Sequence, residues 1–190
     1  MSVVSKYKFV GCLIYSFNEK GEEVFLLGQE HPEVGWPDQL KWGLFGGSPE
    51  ASDQTVWHGA ARECYEETSG FIASYDEILN KLLKIEEIYE FHGAGIFLYP
   101  LKYEASLEKK FRDVYEYNHQ CMVTGKKGVP KIPSCKEGLF EKIAIKWFTL
   151  EDIKLHKDEL RRYTYPFFEM YMFGNEQIKR EASVIKKFLS

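Results

Sequence analysis

Residues Tyr7 to Phe17 alternate between apolar and polar or small positions, and they are rich in strand formers: Phe9, Val10, Cys12, Leu13, Ile14 and Tyr15. Asn18-Glu19-Lys20-Gly21 is a turn signal, and Glu23 to Leu27 resumes the strand pattern, so the opening predicts an antiparallel hairpin. His31 to Lys41 holds two prolines and a glycine and reads as a loop. Trp42-Gly43-Leu44-Phe45 reads as a short strand entering Gly46-Gly47. After the polar stretch Ser48 to Asp53 the period changes to that of a helix over Gln54 to Thr68. Ser52 or Asp53 is placed to cap its start and Ser69-Gly70 its end. Val56, Ala60, Cys64 and Tyr65 form its apolar stripe, with Glu63, Glu66 and Glu67 expected away from that stripe.

Further on, Asp76 to Leu83 predicts a short helix. Ile85 to Tyr103 predicts two strands broken at His92-Gly93-Ala94-Gly95. Residues 105–140 read as an insertion. Leu107, Phe111, Val114 and Asn118 offer a helical face there, and Gly125 to Lys136 carries Lys126, Lys127, Lys131 and Lys136 without an acid. Ile143 to Phe148 is a strand, and Thr149-Leu150-Glu151-Asp152-Ile153 starts a helix. Ile178, Ala182, Ile185 and Leu189 recur at helical spacing. Hairpins and strands flanked by helices argue for an α+β class or a sandwich within one domain spanning residues 1–190.

Composition narrows the function classes. The chain has 190 residues, enough for one domain with a real core. A formal charge of −4 does not announce a general nucleic-acid binder, although a local basic patch is compatible with it. Aromatics at 16% suit a heavy core, a base-stacking pocket, or both. Cys12, Cys64, Cys121 and Cys135 are scattered. They imply neither a zinc site nor a disulfide framework, so a reducing, cytoplasmic compartment is the default expectation. No signal peptide or membrane span is expected.

The chemistry concentrates in Arg62-Glu63-Cys64-Tyr65-Glu66-Glu67, downstream of Gly46-Gly47. On a helix, spacings of three and four place the carboxylates of Glu63, Glu66 and Glu67 on one side. Clustered carboxylates repel unless a cation sits among them, and an oxygen-rich set suits Mg²⁺ or Mn²⁺. The alternative is a solvated acidic face, as exposed helices often carry. It has no use for the glycine pair or for the strand leading into it.

Gly47 to Phe71 resembles the signature of the Nudix hydrolases: a glycine, an acid six residues on, then Arg-Glu-aliphatic-x-Glu-Glu and a closing glycine. Trp42 to Gly47 is similar to that family's strand entering its metal loop. Lys146 to Ile153 is similar to its last strand and following helix. Two departures stand out. Eight residues, not the usual seven, separate Asp53 from Arg62, whereas Gln54 holds the usual slot. The closing Gly70 is one residue late, behind Ser69.

The resemblance implies a Nudix-type α/β/α sandwich with a mixed sheet and cleavage of a diphosphate linkage in a nucleoside-diphosphate-type substrate. It implies Mg²⁺ or Mn²⁺ held by Glu63, Glu66, Glu67 and the Gly46 carbonyl. Arg62 would orient the glutamates, and one glutamate would serve as base. Trp36 is the expected base-stacking residue, and Lys126, Lys127 and Lys131, with Lys136, an expected clamp on phosphates. A capped RNA 5′ end, a diphosphoinositol polyphosphate, a dinucleoside polyphosphate and a nucleotide sugar all stay open as substrates. Arg161-Arg162 beside Tyr163 and Tyr165 is ambiguous between surface and site. The aromatic run from Tyr163 to Phe173 reads as core or as a homodimer contact. A catalytically silent Nudix-fold module binding nucleotide or RNA is the rival of another class.

Overall fold

The computed structural model describes residues 6–32, 37–124 and 141–173. Trp36, Lys126, Lys127, Lys131, Lys136 and the stretch from Ile178 to Leu189 lie outside the described residues.

The opening hairpin forms as its alternation predicts. Strand β1 (Phe9–Phe17) and strand β2 (Glu23–Glu30) pair antiparallel next to the turn, from Ile14↔Leu26 to Phe17↔Glu23. Asn18 makes the turn: its Oδ1 accepts from the Lys20 and Glu22 amides, and Gly21 supplies the positive φ of 78°. β2 runs three residues past the expected end at Leu27, because Gly28, Gln29 and Glu30 still pair with other strands.

Beyond the turn β1 and β2 diverge, and the segment 42–47 enters the fork. It is two strands rather than one, broken at Leu44. β3 (Trp42–Gly43) pairs with β2, and β4 (Phe45–Gly47) pairs with β1. On the far side of β1 lies β6 (Ala94–Pro100), parallel to it in register from Phe9↔Ala94 to Tyr15↔Pro100. β5 (Tyr89–Phe91) closes that edge through a tight turn with positive φ at His92 and Gly93, so β6 begins two residues before the expected Ile96. β7 (Lys142–Thr149) pairs antiparallel with the other side of β2. Among the described residues the result is one mixed seven-stranded sheet.

Alternation along the strands sends side chains to two cores. Val10, Cys12, Ile14, Leu26 and Phe45 pack against helix α1 (Val56–Glu67), helix α2 (Tyr75–Leu82) and helix α3 (Leu107–Thr124). Leu13, Tyr15, Phe25, Leu27 and Phe148 pack on the opposite face against helix α4 (Leu150–Leu155) and helix α5 (Thr164–Tyr171), with an exposed 3-10 turn at Lys157–Glu159 between the two helices. Both α2 and α4 start with capping boxes, Ser74 with Glu77 and Thr149 with Asp152, each satisfying two orphan amides. This is the α/β/α sandwich that the resemblance implies.

Three local expectations are corrected. The cap of α1 is neither Ser52 nor Asp53. Thr55 takes that place in extended conformation, and its hydroxyl bonds His58 Nδ1 at 2.7 Å rather than a helix amide. On α3, Leu107 and Phe111 are buried as read, but Val114 is 37% exposed, because the face turned to the core runs through Leu107, Phe111 and Tyr115 and leaves Val114 beside it. Glu63 and Glu67 are not turned away from the interior; both are buried, for reasons given below. Among the described residues, no helix is long and apolar enough to cross a membrane.

Candidate active site

The site is built where β4 and the C-terminal half of α1 meet. Val10↔Gly47 and Gly11↔Gly46 bring the glycine pair against β1. A Cβ on Gly46 would stand 2.6 Å from the Val10 carbonyl oxygen, so the close approach excludes any side chain. A Cβ on Gly47 would fall 2.6 Å from Glu63 Oε2. The missing side chain of Gly47 is thus the space in which the Glu63 carboxylate lies.

Arg62 gathers the acidic groups. Its Nε donates to Asp53 Oδ1 and its Nη2 to Asp53 Oδ2, both at 3.1 Å, a bidentate grip. The Nη1 atom meets Glu63 Oε1 at 2.8 Å and Glu66 Oε2 at 3.1 Å, and Nη2 also donates to the Ser48 carbonyl at 3.1 Å. Asp53 Oδ2 in turn accepts the Glu50 amide at 2.7 Å, which ties the loop to the helix. Burial opposes the guanidinium charge, but the Asp53 hydrogen bonds and the Glu63 charge outweigh it and raise the Arg62 pKa. Asp53 is therefore the acid that faces Arg62 despite the extra residue between them, while Gln54 is exposed. The late closing glycine has a similar account. Ser69 takes a positive φ of 52° and donates to the Glu66 carbonyl, and Gly70, with φ of 64°, donates to the Tyr65 carbonyl. This is a Schellman motif with serine in the usual glycine place and glycine one step on.

Glu67 lives in a different setting, at 3% exposure. Its Oε2 accepts the Gly46 amide at 2.6 Å, and its Oε1 lies 2.8 Å from Lys142 Nζ. Lys142, fully buried, also pairs with Glu30, its neighbour across β2 and β7. Arg161 Nη1 donates to the same Glu30 oxygen at 2.7 Å. Burial pushes the Glu63 pKa up to about 7 against the pull of Arg62, and pushes Glu67 up to about 7 against the pull of Lys142. Burial also raises Glu141. The three glutamates are neighbours on one helix, but their partners divide them into a pair on Arg62 and a single residue on Lys142.

The donor set fits a hard divalent cation at Glu63 and Glu66. Both groups are carboxylates, both share one guanidinium atom, and the Glu63 charge is left under-compensated by burial. Among the described residues, no three His, Cys, Asp or Glu side chains already converge as a metal cage. Cys12 and Cys64 are free and buried.

On the other face of the sheet, a cavity of about 380 Å³ opens between the start of β1, the β5–β6 turn and α5. Phe9, Leu44, Phe91, Ile96 and Phe167 wall it, and Lys8, Arg161, Arg162, His92 and Tyr163 also line it. The His92 and Tyr163 rings are 6.3 Å apart, and the Arg162 guanidinium lies 4.8 Å from the Tyr163 ring centroid. Sequence reasoning left Arg161, Arg162 and Tyr163 undecided; the structure sets all three on the cavity wall. It missed Lys142 altogether. The legible sign was Gly28, an isolated glycine in a strand, whose missing Cβ leaves room for the Lys142 chain.

The NUDIX domain family profile matches residues 8–169. No protein of curated function matches the sequence. Among solved structures, the chain is similar to a bifunctional NMN adenylyltransferase/ADP ribose pyrophosphatase from Francisella tularensis, complexed with AMP and an Mn ion. That similarity has 16% identity and a TM-score of 0.50 and covers 87% of this chain but only 40% of that one. The chain is also similar to the Nudix hydrolase RenU from M. smegmatis (13% identity, TM-score 0.46, 95% and 88% of the two chains). A MutT protein from Methanosarcina mazei Go1 is a third (21%, 0.41, 87% and 93%). At these identities the likeness is one of fold. With the mixed sheet, the Arg62–Glu67 helix turn and the family match over most of its length, this chain belongs to the Nudix hydrolase family, whose members act on phosphorus-containing anhydrides.

Proposed function

We propose that the chain is a Mg²⁺- or Mn²⁺-dependent pyrophosphohydrolase that cleaves the diphosphate linkage of a nucleoside-diphosphate-type substrate. The observation that carries this reading is Arg62, clamped on Asp53 and holding Glu63 and Glu66 together beside the side-chain-free Gly47. Glu63, Glu66 and Glu67 would hold the metal together with the Gly46 backbone carbonyl, as the family resemblance implies. Such an ion supplies neutralisation of phosphate oxygens and acidification of water. Arg62 keeps two like charges in one place by sharing a guanidinium nitrogen between them. The glutamates take up the proton that water gives up on attack at phosphorus.

The cavity supports a base-bearing substrate. Its volume is within the range of small-molecule sites, its walls are mostly apolar and aromatic, and cations stand among them. Those walls favour a nucleobase over an inositol ring. A capped RNA 5′ end offers such a base with a phosphate chain, and Arg162 and Lys8 on the cavity wall would meet its anionic part. Dinucleoside polyphosphates and nucleotide sugars carry the same elements.

The test is phosphate release from capped RNA, diadenosine polyphosphates, ADP-ribose, nucleoside triphosphates and a diphosphoinositol polyphosphate, with Mg²⁺, Mn²⁺ or chelator. Metal-dependent cleavage of a base-bearing class, lost in Glu63→Gln, supports the reading. Cleavage of the inositol substrate alone would overturn the base assignment. Silence throughout, with nucleotide still bound, would favour the binding module.

A further inference from the structure

Asp38 is the one acid among the described residues that line the cavity, and it is only 8% exposed. A carboxylate offers acceptors alone, and burying one without donors is costly. Among the described residues the Asp38 side chain accepts no hydrogen bond. Its ion pair with Arg161 Nε spans 3.6 Å, beyond hydrogen-bond length. The closer contact of that guanidinium, Nη1 at 2.7 Å, goes to Glu30. The corner that the two residues form is built from both sides. The Asp38 carbonyl accepts the Lys41 amide at 3.0 Å, and the Arg161 amide donates to the Trp42 carbonyl at 2.9 Å. Arg161 Cδ lies 2.5 Å from where Gly43 would carry a Cβ. The cavity also adjoins the glycine pair, because the Cζ of its wall residue Phe9 lies 2.7 Å from where Gly46 would carry a Cβ. A base held here would send its phosphate chain past Phe9 toward the acidic helix.

An acceptor-only group selects among bases by their donors. Guanine presents its ring N1–H and amino N2–H side by side, matched to the two oxygens of one carboxylate, with O6 next to them for a guanidinium. Adenine and cytosine set a ring acceptor beside their amino group, and uracil flanks its N–H with two carbonyls. Each would turn a lone pair toward Asp38. We propose that Asp38 selects guanine, its carboxylate accepting N1–H and N2–H while Arg161 meets O6. This rests on reading the cavity as the base site. It narrows the substrate class to guanine nucleotides with a diphosphate linkage. The rival is that Asp38 only steadies Arg161, a role that gives no preference between bases.

Calorimetry of guanosine, inosine and adenosine diphosphates, each titrated into the full chain in chelator, decides between the two without turnover. Inosine differs in lacking the amino group. Loss of one bond to a charged group weakens binding roughly tenfold or more, so guanosine diphosphate should bind at least about tenfold tighter than the other two. Asp38→Asn turns a donor toward the base and should shrink the guanosine-to-inosine ratio to within about twofold. Equal affinities in the natural protein overturn the proposal, and so does a ratio that survives in Asp38→Asn. If Asp38→Asn does not fold, the ratio in the natural protein decides alone. Ala94→Phe, which fills the cavity, separates this proposal from the reading beneath it. Binding that is lost in a folded Ala94→Phe, yet equal among the three bases in the natural protein, keeps the cavity as the base site and overturns guanine selection. Binding that Ala94→Phe leaves unchanged, or no binding by the natural protein, overturns both.

Discussion

Replacing Asp53 with asparagine tests the clamp on which the site depends. Asp53 accepts three hydrogen bonds, from Arg62 Nε, Arg62 Nη2 and the Glu50 amide. Asparagine keeps one carbonyl oxygen and turns an amino group toward a donor on the other side, so at least one bond is lost and the ion pair disappears. Bonds to charged groups contribute about 1.5–3 kcal/mol each, and removing one partner of a buried pair costs about 3–5 kcal/mol. Arg62 retains Glu63, Glu66 and the Ser48 carbonyl, which places the cost near the lower end, about 2–3 kcal/mol. A domain of this length shifts by about 2–4 °C per kcal/mol, so Tm should fall by roughly 4–12 °C. Thermal unfolding followed by circular dichroism at fixed pH, in chelator, reads this directly. Gln54→Glu is the paired control: the position is exposed, and the change should stay within about 0.5 kcal/mol. An Asp53→Asn protein melting within about 1 °C of the natural one would refute the reasoning. So would recovery of the lost stability by adding Gln54→Glu, which would restore the usual spacing as the true partner.

Gly47→Ala should displace the Glu63 carboxylate from its place at 2.6 Å, and Mn²⁺ titration should show affinity weakened by about tenfold or more with the fold retained. Burial holds the Glu63 proton up to a pKa of about 7, against 4.5 for the ordinary side chain, so the unfolded chain ionises first as pH rises. The cost to stability is absent below 4.5, grows between 4.5 and about 7, and is constant above, amounting to about 3 kcal/mol. Glu63→Gln should therefore gain on the natural protein between pH 5 and pH 8 in chelator; urea titrations showing a flat difference would refute this. Gly70→Ala meets both a positive φ of 64° and the Tyr65 ring at 2.7 Å, and should cost more than Gly93→Ala, which meets only the φ. The latter loss is about 1–2 kcal/mol by the same melts.

The elements were legible where one local pattern decides them. Alternation along β1, the Asn18 turn and the apolar stripe of Val56, Ala60 and Cys64 each state their structure within a few residues. The burial of Glu63 and Glu67 was not legible, because it depends on a glycine sixteen residues back and on a lysine in the last strand. Exposed acids on a helix and buried acids on a helix have the same spacing. The Asp53-or-Gln54 choice turned on where a loop delivers a carboxylate, which spacing alone does not fix. The cavity draws on β1, the β5–β6 turn and α5, segments that only the folded sheet brings together. The Tyr163–Phe173 run divides its work accordingly: Phe168 is core, Tyr163 is cavity wall, and Phe167 serves both.

Gly11 and Gly46 face each other across β1 and β4. A Cβ on Gly11 would stand 2.3 Å from the Phe45 carbonyl oxygen and 2.8 Å from Gly46 Cα, and a Cβ on Gly46 would stand 2.7 Å from Gly11 Cα. Each blocks substitution at the other, and a double change doubles the clash. The pair is thus a mutational dead end: sequence drift in this chain must pass around it, and any descendant that loses one glycine has to move a strand to do so.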